Sequence, residues 1–400
     1  MDVHFPKGFR GAAVYCGVKS NTQSLDLTLI ESDRPAVATG VYTRNLVCAA
    51  PVLLDRQRTP SQNIRVLAVN SGCANACTGQ RGLEDAERMA ACAAEACGAD
   101  PTQALVMSTG VIGQHLPMAK IERGIADAAA RLADGPEALV DSARGMMTTD
   151  TVPKVRGRVV TLDGAEVRVT GIAKGAAMIG PNMGTMLAAV MTDARIGVDD
   201  ARTALREAVD ESFHCISVDG HTSTNDTVLL LANGAAMAGS DAPLSEKARK
   251  AFMATVLEVC EDLAQSIPAD GEGATHLITV EVHGCRTKSE AVRIAKTIAD
   301  SPLVKTAIAG ADPNWGRIVS AAGYAGVEFD PSHVALLING LLMYEHGAPV
   351  PFDEKTVSDS IAGSRDTGVV LLLGEGQASA RFWTTDLTAE YVRLNADYRT

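Results

Sequence analysis

The stretch KGAAMIGPNMGTMLAAVMTDA, residues 174–194, passes through a Pro181-Asn182 turn into an apolar run that begins Gly184-Thr185. TMLAAVMT has the apolar content of a buried strand, and its first residue carries a hydroxyl. Plain punctuation, a turn followed by a strand, accounts for the pattern. A second reading starts from the Gly184-Thr185 peptide bond. Were it to break, Thr185 would become an amino terminus carrying a hydroxyl and a free α-amine on one residue. Such an amine titrates at about 7.7 to 8, so near neutral pH a useful fraction can take the hydroxyl proton and activate the nucleophile. Gly184, lacking a Cβ, lets its carbonyl turn into a strained geometry open to attack. These residues alone leave both readings open.

The flanking sequence alternates strand and helix signals without a strict βαβ rhythm. NIRVLAVN (63–70) and ALVMST (104–109) predict strands, and LEDAERMAACAAEAC (83–97) an Ala-rich helix, with another from about Met118. RGRVVTLDGAEVRVTGIA (156–173) predicts a hairpin turning at Asp163-Gly164. Helix is expected again across 200–212 and from about Leu244 to Ala264, with TVLLLAN a strand between them. In EAVRIAKTIAD, Ala291, Ile294, Ala295 and Ile298 keep helical spacing. Hairpins mixed with helices favour a layered α+β fold over a doubly wound parallel sheet. DGEGAT (270–275) is the expected lobe boundary, with the preceding helix ending at Pro268.

Composition narrows the function. The chain has 400 residues, 46% hydrophobic, which supports one large or two ordinary cores, and its formal net charge of -12 offers no general attraction for nucleic acid or anionic membranes. Small-molecule chemistry fits better. MDVHFPKGFR lacks the apolar core of a signal peptide and no later run is long enough to span a bilayer, so a cytoplasmic protein is expected. Nine cysteines without a CxxC argue for free thiols. Cys73 and Cys77 form one close pair, but no histidine lies near them in sequence, and no metal is expected.

VVLLLGEGQAS (369–379) superficially resembles a dinucleotide loop, yet the strand-like ARFWTTDL follows where a phosphate site needs a helix amino terminus. That turn is expected to be a hairpin, and no nucleotide cofactor follows from it. GxxxxGK[ST] and GxSxG are both missing, which removes P-loop and α/β-hydrolase chemistry.

The opening stretch resembles the autocleavage segment of the ornithine acetyltransferase (glutamate N-acetyltransferase) family, whose usual form is K-G-S-G-M-x-x-P-N-M-A-T-M-L-A. The resemblance runs the length of the chain. GFRGAAVYCGVK, NSGCANACTG, MSTGVIG, MTTDTVPK, SVDGHTSTNDTVLLLANG, DGEGATH, ADPNWGRI and VRLNADYRT all look like that family, in order. It implies a layered αββα, N-terminal-nucleophile-like fold, with residues 1–270 bearing the nucleophile and a smaller α+β lobe, 271–400, completing the site. It also implies a precursor that cuts itself before Thr185, its α and β fragments associating as a heterotetramer of two each.

The implied reaction moves acetyl from N2-acetylornithine to glutamate, with no cofactor; use of acetyl-CoA as an alternative donor stays open. Thr185 would carry the acetyl group as an ester. Thr109 and Gly110 would form the oxyanion hole. Thr151, Lys174, Thr185, Glu272, Asn395 and Thr400 would bind substrate, Lys174 answering the carboxylate and Glu272 the ornithine amine. On their own terms, STG after a strand is a turn, Lys174 a surface lysine, and Glu272 a solvated turn residue. The chain departs from the family pattern at Gly184 (commonly Ala), at Ala176-Ala177 (Ser-Gly), at His221 (Asp) and at Cys73 (Asn). Two competing classes are an amidase or aminopeptidase, in which water takes the acyl group, and a binding protein that never cleaves.

Overall fold

The computed structural model describes residues 3–180, 186–239 and 242–397. The expected cleavage pair Gly184-Thr185, and Thr400, lie outside the described residues.

One strand organises the first sheet. β2 (Leu27–Tyr42) is 16 residues long and changes partners along its length. Its first half pairs with β1 (Phe9–Val14) and β3 (Ser61–Cys73), which lies beside β4 (Ala104–Val111). Its second half, Val37–Tyr42, pairs with β8 (Thr227–Ala232). Register shifts between Glu31 and Ala38 mark the irregularity where the strand bends. Beyond β8 the sheet continues through β7 (Leu187–Thr192), β6 (Ala165–Lys174) and β5 (Lys154–Leu162).

The bend folds the sheet on itself. Ile30, Leu67, Val69, Leu105 and Met107 from one half share a buried cluster with Ile172, Leu187, Ala189, Met191 and Leu229 from the other. The outer face of the first half meets the helices α2 (Gly79–Ala96) and α3 (Met118–Ala129). The outer face of the second meets α5 (Val198–Glu211) and α6 (Glu246–Ala269). The layers are therefore α, β, β, α, as the resemblance implied. Helix α4 (Pro136–Met146) adds Leu139, Ala143 and Met146 to the central cluster, and α1 (Ala50–Arg58) packs beside β4. β7 shows why its sequence is apolar throughout: Leu187, Ala189 and Met191 face the second sheet half's neighbour while Ala188 and Val190 face α5 and α6.

The Asp163-Gly164 hairpin forms as expected. Leu162 pairs with Ala165, and both turn residues have positive φ, 47° and 86°, the geometry of a tight two-residue turn. Two other expectations need correction. Helix α6 does not end at Pro268: it runs to Ala269 with the proline inside its last turn. Proline removes one donor at its own nitrogen, and burial of Ile267 and Pro268 keeps the turn closed around that loss. The second correction concerns GEGQAS.

The second sheet has the order β12 (Ala348–Pro349), β11 (Leu341–Glu345), β10 (Ala335–Ile338), β13 (Asp366–Leu372), β9 (Leu277–Cys285), β14 (Ala378–Thr385). β13 and β14 flank GEGQAS, and they are not a hairpin, because β9 lies between them, parallel to one and antiparallel to the other. The turn has to cross over β9, and its glycines allow the close approach: a Cβ on Gly376 would lie 2.5 Å from the Cys285 carbonyl oxygen. A strand does follow, as expected. α7 (Lys288–Asp300) covers β9 and β14, and α8 (Pro302–Ala309), α9 (Trp315–Gly323), α10 (Glu354–Ala362) and α11 (Ala389–Asp397) complete the chain.

Strands of the first sheet all precede Asn233 and those of the second all follow His276, yet one buried cluster runs from Val190 through Val259 and Leu263 to Ile278 and Phe382. The nine cysteines are unpaired. No helix among the described residues is long and apolar enough to cross a membrane.

Candidate active site

Strand register brings the dispersed motifs together. Antiparallel β6 and β7 set Lys174 opposite Leu187, and parallel β7 and β8 set Leu187 opposite Thr227. On the other sheet half, β3 and β4 pair Gly72 with Gly110. The strand ends meet around a cavity of about 260 Å³ whose lining includes Thr109, Gly110, Lys174, Glu272, Tyr391 and Asn395.

Gly110 has φ 128°, and a Cβ there would lie 2.3 Å from the Gly72 carbonyl carbon, so no other residue fits without moving β3. Lys174 is 2% exposed, where the sequence alone suggested a surface lysine. Its Nζ donates to Thr109 Oγ1 at 3.1 Å. With that oxygen accepting from an ammonium, the Thr109 hydroxyl hydrogen is left to donate elsewhere. Burial pulls the Lys174 ammonium down from its ordinary range, and the Asp150 carboxylate opposes the fall.

Asp150 belongs to a buried ion network. Its Oδ1 accepts from Lys154 Nζ at 2.7 Å and from the Gly175 N–H at 2.6 Å, and its Oδ2 from the Thr148 N–H at 3.1 Å. Lys154 Nζ also donates to Asp270 Oδ2 at 2.6 Å. Burial disfavours charge on Asp150, but the Lys154 and Lys174 charges outweigh it and hold the carboxyl below its usual range.

Glu272 is half-buried. Its N–H donates to the Ala176 carbonyl at 3.0 Å, which ties its loop to the segment after Lys174, and its Oε2 accepts from Asn395 Nδ2 at 2.9 Å. Helix α11 reaches it because Gly273, at φ 67°, lets Tyr391 approach; a Cβ there would lie 2.5 Å from the Tyr391 nitrogen. The Tyr391 hydroxyl donates to Asp219 Oδ2 at 3.2 Å, and Asp219 also accepts from the Met178 N–H at 2.7 Å.

Thr109, Gly110, Lys174, Glu272 and Asn395 thus line one cavity, together with His221. Thr151 does not line it. Its hydroxyl donates to Asp270 Oδ1 and its N–H to Asp270 Oδ2 at 3.0 Å, while Thr148 and Thr149 of the same motif face the cavity. Sequence reasoning missed Asp150, Lys154, Asp219 and Tyr391. MTTDTVPK held the one available signal, an acid and a lysine four apart, with nothing in its pattern to announce burial. Asp226 was also missed: its Oδ1 accepts from the Met186 N–H at 3.2 Å, and burial pushes its carboxyl up to about 8. Among the described residues no group of three or more His, Cys, Asp or Glu side chains could hold a metal ion.

One cavity on a layered α+β fold thus gathers a recessed cation, a glycine and a hydroxyl at a strand end, and a carboxylate. The ArgJ family model matches residues 10–400, and the chain belongs to that family. Arginine biosynthesis bifunctional protein ArgJ of Rhodopirellula baltica is 45% identical over 395 residues, covering 99% of this chain and 96% of that one. The protein of the same name from Thermotoga neapolitana is 44% identical, with 99% of each covered. Among solved structures, ornithine acetyltransferase complexed with ornithine from Mycobacterium tuberculosis is 34% identical. That match covers 44% of this chain and 92% of the other, with a TM-score of 0.39.

Proposed function

We propose that this chain transfers acetyl from N2-acetyl-L-ornithine to L-glutamate through an ester on Thr185, after its own cleavage between Gly184 and Thr185. The Thr185 hydroxyl attacks the acetyl carbonyl carbon while its α-amine takes the hydroxyl proton. The oxyanion that forms accepts from the Thr109 hydroxyl and the Gly110 N–H. Collapse breaks the amide C–N bond, and the proton passes to the departing ornithine nitrogen. The glutamate amine then attacks the ester, and Thr185 Oγ recovers its proton.

Lys174 binds the α-carboxylate that donor and acceptor share, and Glu272 with Asn395 receives the ornithine side-chain amine. Thr400 is assigned to substrate binding on the family resemblance, and Thr151 acts on substrate indirectly, by holding Asp270. The fragments stay associated, two of each in the assembly. Acetyl-CoA as a second acetyl donor completes the proposal, in keeping with the bifunctional names of the relatives.

The observation that carries this reading is one cavity that gathers Lys174, Thr109, Gly110 and Glu272 from separate motifs, beside the strand that follows Thr185. Intact-mass analysis tests it. Purified protein should resolve into residues 1–184 and 185–400, and Thr185→Ala should remain one chain. A cut elsewhere would remove the Thr185 mechanism, an intact wild-type chain would favour a binding protein, and discharge of the acyl group to water in preference to glutamate would favour the hydrolase.

A further inference from the structure

Lys154 is 1% exposed at its side chain, and its two carboxylate partners, Asp150 and Asp270, are 0% and 7% exposed. None of the three lines the cavity. A buried lysine on two buried carboxylates is costly to assemble and needs every charge matched. The match here extends further, because Asp150 accepts from the N–H of Gly175, the residue after Lys174, and its charge favours the Lys174 ammonium. Asp150 is the carboxylate that acts on both lysines, by a direct ion pair with Lys154 and by its charge on Lys174.

The same three side chains tie together loops that the substrate would touch. Asp150 holds Thr148 and Gly175 by their N–H groups. Asp270 holds Thr151 and stands two residues before Glu272, whose own N–H is fastened to Ala176. Removing Asp150 would leave Lys154 with Asp270 as its one ion-pair partner and Lys154 and Lys174 as like charges without the carboxylate that acts on both.

We propose that Asp150, clamped through Lys154 to Asp270, is a positioning residue for the carboxylate-binding part of the cavity: it supplies the counter-charge that lets Lys174 stand there buried, and it holds Thr148 and Gly175 around it. The role rests on the reading of Lys174 as the carboxylate ligand. The charged groups facing Lys174 are Asp150, Lys154, Asp226 and Glu272, with Lys19 acting from the β1–β2 connection and the Thr109 hydroxyl in direct contact. Of these, Asp150 favours the ammonium form of Lys174 and Lys154 disfavours it. The two members of one ion pair, being of opposite charge, therefore act on Lys174 in opposite senses.

The experiment is a carbon NMR titration of lysine-labelled protein, the Lys174 signal being the one lost in Lys174→Met. Asp150→Asn should lower the Lys174 midpoint by about one pH unit, a tenfold change in the ratio of amine to ammonium. Lys154→Met should raise it. The alkaline limb of kcat/KM for N2-acetylornithine should move with the midpoint in each variant. Midpoints that stay put, or that move the same way in both, overturn the proposal. Where Lys154→Met yields no folded protein, Asp150→Asn decides alone: a fall supports the role, and no change or a rise overturns it. If the midpoints move as expected but N2-acetylornithine leaves the protein unacetylated, the reaction assignment fails and the positioning role stands.

Discussion

In the proposed reaction Glu272 and Lys174 differ in what they ask of a ligand. Ornithine and glutamate both carry the α-carboxylate assigned to Lys174, but only ornithine brings an amine to Glu272. Glu272→Gln should therefore slow acetylation by N2-acetylornithine about tenfold or more, roughly 1.4 kcal/mol, and slow discharge by glutamate much less. Single-turnover measurement of each half-reaction checks this, and equal losses would mean that Glu272 holds α11 through Asn395 without reading the amine. Asp226 makes a separate claim about stability. Burial raises its carboxyl to about 8 in the folded chain, from an ordinary value of 3.8. Folding therefore binds a proton between those values. The stability Asp226 contributes is complete below about pH 4 and is lost as pH rises through about 8. Asp226→Asn removes the linkage, so the variant should gain on the wild type as pH rises, by up to on the order of 5 kcal/mol at the upper end of the range. Urea midpoints at about pH 5 and about pH 8 measure it. A difference that does not change with pH would contradict the assignment of that pKa to Asp226.

The strands show why cleavage need not separate the halves. β5 and β6 precede Thr185 and β7 and β8 follow it, yet the sheet order sets β8 and β7 between β2 and β6. Both edges of the inserted pair are hydrogen-bonded to the amino-terminal fragment, β8 to β2 and β7 to β6. Leu187, Ala189 and Leu229 also pack into a cluster built mostly from that fragment. The two fragments should thus co-elute on gel filtration in native buffer and part only at global unfolding; dissociation in mild urea, before loss of far-ultraviolet ellipticity, would contradict the interleaved sheet. Periodicity made most of these elements legible, because alternation and turn residues act within a few positions. The β13–β14 pairing was misread because adjacency in sequence says nothing of a third strand. β9 enters between them from some 90 residues upstream, and only tertiary packing decides that.

For the whole molecule, the net charge of -12 and the buried cations belong to one account. An acidic surface gives the carboxylates of the proposed substrates no steering, so the proposed recognition falls on a few enclosed positive groups. Motifs exposed the residues that line the cavity, since Thr109, Gly110, Lys174, Glu272 and Asn395 lie in stretches whose order matched a known family. They did not expose the buried pair of Asp150 with Lys154, and they named Thr151 where Thr148 and Thr149 face the cavity. Burial and charge pairing emerge only once β5, β6 and the loop after α6 are folded together. The central claim is that acetyl passes through Thr185, and mass analysis of the protein incubated with N2-acetylornithine alone tests it most directly. The account predicts one acetyl group on the fragment beginning at Thr185, removed on adding glutamate. An unmodified fragment, or an acetyl group that glutamate does not discharge, would contradict it.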